Sequence, residues 1–460
     1  MSGATPNDRL AKVMAEAGMS RKALARAIRE ISERRGQPIA CDHTSVSRWL
    51  GGMKPRGQGG QFIAEALSAR LGRLVTAADI GMGGVGIGAD LGVTYGESSQ
   101  GAADVLGRLW QADLDEARVL LDAPADQSAG MSAALTWLVR DDPEPSSHRT
   151  GTVRVGMGDI AAAKTTMKAF ASLDNQYGGG QARRALVQYL QSDLLALLHG
   201  RYDESTGRAL YSTAAEGTLL AAWMSYDSGR HGFAQRYFIQ ALRLAQAAND
   251  VLLAGSVLDA MSHQATFLRR PQEAVNLARA SRTGTRGRAT ATLTAHFFAM
   301  EARALASCGD SVGAQRALAD SVKEFERRQP EDDPAWISYF DEAELSAEFG
   351  HCYRDLGKPT ETIREAQLSL GGAGASPRSD FFVSMVLATG YVSSGEIEEA
   401  CRVIREAILS GDQIKSRRCI DYMRGVRRLL EPFTGSSAVR ELVECVAETA
   451  LWESSMPVDG

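Results

Sequence analysis

The chain has 460 residues, 44% hydrophobic and 23% charged, the proportions of a water-soluble globular protein, and it is too long for one ordinary core. It therefore divides into a small and a large domain, or grows as a repeat array. Its net charge of −5 hides an uneven distribution, because residues 1–80 carry 13 Lys and Arg against 7 Asp and Glu while the remaining residues carry 38 against 49; a basic head suits a polyanion and the acidic body does not.

Apolar residues recur at helical spacing from Arg9 to about Trp452, and strand signals are nearly absent, so the pattern predicts an all-α fold. In the first segment Leu10, Val13 and Met14, then Leu24, Ala25 and Ile28, then Phe62, Ile63, Ala66, Leu67 and Leu71 supply the apolar stripes of a small helical bundle. Between them lies the most informative stretch, Cys41 to Arg56. Asp42 is placed to cap a short helix, Val46, Trp49 and Leu50 fall on its buried side, and Gly51-Gly52 ends it. His43, Thr44, Ser45, Ser47 and Arg48 are left on the open side.

A helix that reads base edges needs that division: an apolar side to fix it to its own domain and short polar side chains that let its first turn approach the major groove. Arg48 suits a guanine edge or a phosphate, and Lys54 and Arg56, just past the helix, suit phosphates. Arg21 and Lys22 begin the preceding helix, whose first amides also favour phosphate. Residues 8–75 resemble the lambda-repressor-like, or Xre-type, helix-turn-helix family, with Val46-Ser47-Arg48-Trp49-Leu50-Gly51-Gly52 in the place of its recognition helix and Ala64 to Gly72 in the place of its packing helix. About ten additional residues, including Ile31 to Pro38, separate Leu24-Ala25 from that helix, a departure from the family that leaves the angle between the two helices, and hence the docking on DNA, open. The resemblance implies double-stranded DNA as the partner, and a dimer reading two half-sites, since one head buries little surface on DNA.

Eight glycines between Gly81 and Gly101 mark a linker. Within it, Gly86-Ile87-Gly88-Ala89-Asp90-Leu91-Gly92 approximates a dinucleotide loop, but no β-branched run precedes it, and no cofactor is expected. Helices are expected near Ala102–Leu121 and Met131–Val139, followed by a breaker-rich loop at Asp141 to Ser147. The organisation is thus 1–80 head, 81–101 linker, 102–150 connecting helices and loop, 151–452 helical repeats and 453–460 tail.

The repeats have a readable register. With Gly229, Arg269, Gly309, Gly357 and Gly395 as turn anchors, the steps are 40, 40, 48 and 38 residues. Seven positions before the anchors stand Ala222, Ser262, Ala302, Gly350 and Ala388; five after stand Ala234, Ala274, Ala314, Thr362 and Ala400; twelve after stand Ala241, Ser281, Ser321, Ser369 and Ala407. All are small, as closely crossing helix pairs require. The spacing resembles the tetratricopeptide repeat at a longer period, and such stacked pairs offer a concave surface for a peptide, small molecule or protein partner. Arg236, Tyr237, His263 and Gln264 are the candidate lining residues.

Blocks such as Asp174 to Gly180, Trp223 to Arg230, Ala234 to Phe238 and Met261 to Ala265 resemble actinobacterial regulators that join an Xre-type head to tetratricopeptide-like repeats, some of which negatively regulate sporulation and antibiotic production. That resemblance implies a repressor of developmental or secondary-metabolism genes, and it carries over no ligand residue. The alternative is a repeat scaffold whose head binds protein rather than DNA.

Enzymatic activity is not expected: Gly309-Asp310-Ser311-Val312-Gly313 matches a nucleophile-elbow pattern but sits in a turn between helices with no strand before it. Cys41, Cys308, Cys352, Cys401, Cys419 and Cys445 form no C-x-x-C pair and no ligand spacing with the seven histidines, so neither zinc nor a disulfide framework is expected. Asp8 and Glu16 break the first apolar stretches, and no run of about 18 apolar residues occurs. No membrane association is expected, and the cytoplasm, with the nucleoid when DNA is bound, is the expected location.

Overall fold

The computed structural model describes residues 6–34, 39–53, 55, 59–71, 75, 79–81, 88–96, 98–139, 147–148, 151–370 and 376–456. Residues 35–38 of the additional segment, Lys54, Arg56, Gly72, residues 82–87 of the glycine-rich stretch, 141–146 of the breaker loop and 457–460 of the tail lie outside the described residues. The all-α expectation holds: among the described residues the only strand-like pairings are isolated bridges, His148 with Tyr202 and Arg154 with Arg201. No described helix is long and apolar enough to cross a membrane. The chain forms two compact units, 1–88 and 89–460.

The first unit contains α1 (Asp8–Glu16), α2 (Arg21–Arg34), α3 (His43–Leu50) and α4 (Gly59–Leu71). Leu10, Leu24, Ile28, Val46, Ile63 and Leu67 are completely buried in its core, with Trp49 sealing the edge. Each apolar stripe read from the sequence faces this core, as the 3.6-residue period dictates. Asn7 joins several ends of the chain. Its side-chain oxygen caps α1 by accepting from the Leu10 amide (3.0 Å), its side-chain nitrogen donates to the Ile80 carbonyl (2.9 Å), and its backbone amide donates to the Leu50 carbonyl (2.8 Å).

The second unit begins with α5 (Ser99–Leu114), α6 (Arg118–Leu121) and α7 (Ala129–Val139). There follow α8 (Met157–Tyr177), α9 (Gly179–Tyr189), which continues through a π-helical turn at Leu190–Leu194 into α10 (Leu195–Leu198), and then paired helices. The pairs are α11 (Glu204–Asp227) with α12 (His231–Ala247), α13 (Val251–Phe267) with α14 (Pro271–Gly284), α15 (Ala291–Ser307) with α16 (Ser311–Phe325), α17 (Glu342–Asp355) with α18 (Pro359–Ser369), and α19 (Pro377–Ser394) with α20 (Ile397–Gly411). The array closes with α21 (Arg417–Leu430), α22 (Ser437–Val446) and α23 (Ala450–Ser454).

The five anchors are the five turns within these pairs, and all have left-handed backbone: φ is 76° at Gly229, 58° at Arg269, 76° at Gly309, 67° at Gly357 and 82° at Gly395. A left-handed residue just past a helix end lets its amide close the last turn, and glycine adopts it without a Cβ clash. The fifteen small residues are all buried. Three of them also cross-link helices, as Ser262 Oγ donates to the Ala274 carbonyl (2.8 Å), Ser281 Oγ to Gly255 (2.8 Å) and Ser321 Oγ to Ala295 (2.7 Å). The one long step, between Gly309 and Gly357, accommodates two 3-10 turns at Pro330–Asp332 and Ala335–Ile337, from which Ile337 and Phe340 pack into a local core with Phe297 and Phe325.

The glycine-rich stretch requires a different description from a free linker once it reaches Ala89. Arg236 on α12 donates to the carbonyls of Ala89 (2.5 Å) and Leu91 (3.0 Å), Gln240 to Gly92 (2.9 Å) and Thr94 (3.0 Å), and Arg243 to Gly96 (2.8 Å). One face of α12 thus straps an irregular segment whose carbonyls have no ladder of their own.

Helices α8, α9 and α11 also meet α19 and the start of α21. Asp227, fully buried at the end of α11, accepts from the Gly179 amide (2.9 Å) and from Ser416 Oγ (2.8 Å), with Arg378 (3.6 Å) and Arg418 (3.8 Å) alongside. Lys415 donates its amide to the Tyr177 carbonyl (2.8 Å) and accepts from Gly180 (3.1 Å), and Arg378 pairs with Asp174 (3.0 Å). Burial pushes the Asp174 carboxyl up to about 6 despite the opposing pull of Arg378. An acid whose folded pKa exceeds its ordinary 3.8 favours the fold while protonated, so this contribution is complete below 3.8 and disappears as pH rises through about 6. We expect Asp174 to make stability fall by about 3 kcal/mol across that window, and urea titrations from pH 4 to 7 to show a flatter profile for Asp174→Asn.

Candidate nucleic-acid interface

The α3 helix carries the candidate residues because its two sides are chemically opposite. Asp42 caps it by accepting from the Ser45 amide (2.7 Å) and the Ser45 hydroxyl (2.9 Å), and those bonds, the amide foremost, hold its carboxyl below the usual range. Gly51 closes the helix, and Gly52 turns the chain with φ of 96°. Val46 and Trp49 face the core, while His43, Thr44 and Arg48 are exposed and Ser45 and Ser47 are half-buried.

The start of α2 lies against this polar side. Arg21 donates from Nη1 to Ser47 Oγ (3.2 Å), and Ser47 Oγ donates to the His43 carbonyl (2.9 Å). Arg48 Nη2 reaches Ser45 Oγ at 3.5 Å, a contact loose enough to be exchanged. Ser20 caps α2 through the Ala23 amide (3.2 Å), and Lys22 is exposed on the same first turn. Arg21, Lys22, Ser45, Ser47 and Arg48 therefore belong to two adjoining helix starts, with His43 and Thr44 beside them. Lys54 and Arg56 are not among the described residues. No ion pair involving Arg21, Lys22 or Arg48 occurs among the described residues, so these cations are not neutralised by a neighbouring carboxylate. The arrangement presents two cationic forks and small hydroxyls on a rigid helix pair, chemistry suited to phosphate oxygens and purine edges.

The four candidate lining residues of the repeats are placed differently. Arg236 is buried and committed to the strap carbonyls and to its own helix at Gly232 (2.8 Å). Tyr237 is buried, and its hydroxyl donates to Asp113 (2.7 Å), the carboxylate that also pairs with Arg183. Gln264 is buried and donates to the His231 carbonyl (3.1 Å). These three hold neighbouring elements together and do not line an open surface. His263 alone is half-buried, its Nδ1 in hydrogen-bond contact with the Tyr226 hydroxyl (3.1 Å) and Trp223 edge-on at 5.4 Å.

Around His263 the first helices of successive pairs build a polar and aromatic interior that the sequence reading missed. Six positions before the anchors stand Trp223, His263, Arg303, His351 and Thr389, one residue beyond the small positions that set the register. Arg303 pairs with Glu348 (2.8 Å), and Arg418 lies over the rings of Tyr226 (4.6 Å) and Phe382 (4.5 Å). Burial, reinforced by the Arg303 guanidinium, drives both His263 and His351 well below the ordinary imidazole value, so both are neutral at pH 7. The recurrence at a fixed offset was the available signal.

In Gly309 to Gly313, Asp310 caps α16 by accepting from the Gly313 amide (2.8 Å), and Ser311 opens that helix. No group of His, Cys, Asp and Glu suited to a metal ion occurs among the described residues. No curated protein and no solved structure matches the chain. Residues 10–83, which lie within the first unit and include the α3 helix, match the family model described as the SP15 N-terminal domain.

Proposed function

We propose that this protein is a sequence-specific DNA-binding transcriptional regulator. In this reading the first unit is an Xre-type helix-turn-helix that lays α3 in the major groove, and the tetratricopeptide-like repeats sense an effector, hold a dimer, or do both. The observation that carries the reading is the exposed polar side of α3, with Arg48, Ser45 and Ser47 joined by Arg21 from α2 and, among the described residues, no carboxylate paired with either arginine. Direct readout supplies the role for Arg48, a bidentate contact to a guanine edge, and phosphate contacts supply those of Arg21 and Lys22. The resemblance of the repeat blocks to negative regulators of sporulation and antibiotic production supports repression as the direction of control.

The test is binding of the full chain to DNA fragments recovered from its host, measured at two salt concentrations against an unrelated duplex. A regulator binds the recovered fragments more tightly than the control and loses affinity as salt rises. Equal, negligible binding to both would favour the scaffold reading, in which the head contacts protein.

A further inference from the structure

We propose that the C-terminal end of the repeat array binds a small amphipathic carboxylate in a pocket between α21, α22 and α23. The pocket encloses about 350 Å³, within the range of small-molecule sites. Its apolar lining comes from Leu430, Val439 and Trp452, with Val443 at the rim, 40% exposed. Along α21, Arg424, Arg427 and Arg428 fall at i, i+3 and i+4 and also line it.

The three arginines are not equivalent. Arg424 is neutralised by Asp421 (2.8 Å) and donates to the Ser454 carbonyl (3.0 Å). Arg427 lies over the Trp452 indole at 4.1 Å and donates to neutral partners, the Trp452 carbonyl (3.1 Å), Ser455 Oγ (3.0 Å) and Met456 Sδ (2.6 Å). Arg428 donates to the Arg424 carbonyl (3.3 Å). Among the described residues neither Arg427 nor Arg428 has a carboxylate within 4.0 Å, although Glu431 lines the same pocket. Burial lowers the Arg427 pKa against the opposing pull of the Glu431 carboxylate, as for a cation partly stripped of water.

The negative end of the α21 dipole accounts for cations on its last turn, but it does not account for the apolar pocket beneath them. An apolar body against Trp452, Leu430 and Val439 with one carboxylate at Arg427 and Arg428 satisfies both features. A neutral apolar ligand leaves the arginines unmatched, and a small inorganic anion leaves the lining empty. The site is independent of whether the first unit binds DNA.

Octanoate is the probe, titrated into the full chain by calorimetry, with octanol as its neutral counterpart. We expect saturable one-to-one binding of octanoate, at least tenfold weaker binding of octanol, and at least tenfold weaker octanoate binding by both Arg427→Met and Arg428→Glu. Arg428 is exposed, so Arg428→Glu keeps its thermal transition and decides the matter even if Arg427→Met does not fold. Absence of octanoate binding, equal affinity for octanol, or unchanged affinity in Arg428→Glu would overturn the proposal. So would self-association through α22, detected as a dimer that Val443→Glu converts to monomer.

Discussion

Replacing Asp227 with Ala is expected to cost the second unit about 3–5 kcal/mol, the loss typical of removing one partner from a buried charged network. Asp227 is the acceptor on which separate parts of the chain converge: the Gly179 amide, the Ser416 hydroxyl at the start of α21, and the guanidinium groups of Arg378 and Arg418. Without it Arg418 keeps its aromatic neighbours but no carboxylate in reach among the described residues, and the Gly179 amide loses its acceptor. Arg418 Nε already has no hydrogen-bond partner in the buried interior, and Asp227 is the one carboxylate within ion-pair reach of Arg418 among the described residues. Denaturant unfolding of the full chain, followed by circular dichroism, checks this: the second-unit transition should move to markedly lower denaturant. A shift below about 1 kcal/mol, the scale of an exposed ion pair, would mean the junction contributes little.

The second large effect is expected on DNA. Arg48→Ala should weaken binding to the preferred site by about 1–3 kcal/mol, or roughly 5- to 150-fold, and relax preference at one base pair, because a bidentate purine contact is lost. Lys22→Ala should weaken binding to every sequence alike and lower the dependence of log affinity on log salt by about 1, as the loss of one phosphate contact does. Titration of the preferred duplex and of single-base variants at several salt concentrations separates the two. Neither residue packs in the core, so neither change should alter the unfolding of the first unit.

The repeat register was legible in the sequence because both of its requirements are local. A left-handed turn favours glycine, which marks four of the five anchors, and Arg269 was found only through its spacing. Close crossing demands small side chains, which explains Ala222 through Ala407 at their fixed offsets. The α3 helix was legible for the same reason: cap, apolar stripe and terminating glycines all lie within a dozen residues.

What stayed hidden depends on distant partners. Arg236 reads as a lining residue, and nothing local says that it, with Gln240 and Arg243, is covered by residues 89–96. Tyr237 reads as a lining residue until Asp113 is seen opposite it. The junction at Asp227 joins residues 189 apart in sequence, Asp227 and Ser416, and depends on how the whole array curves. The contact of Arg21 with Ser47 likewise required the fold, since the additional residues between α2 and α3 left their relative placement open.

The most direct test of the central claim is genome-wide occupancy of the tagged full-length protein in its host, compared with an Arg48→Ala version expressed at the same level. The account predicts discrete sites that share a motif, two-fold where a dimer reads two half-sites, and their loss in the variant. Occupancy no higher than background for a folded, normally expressed protein, or sites that persist unchanged in Arg48→Ala, would contradict it.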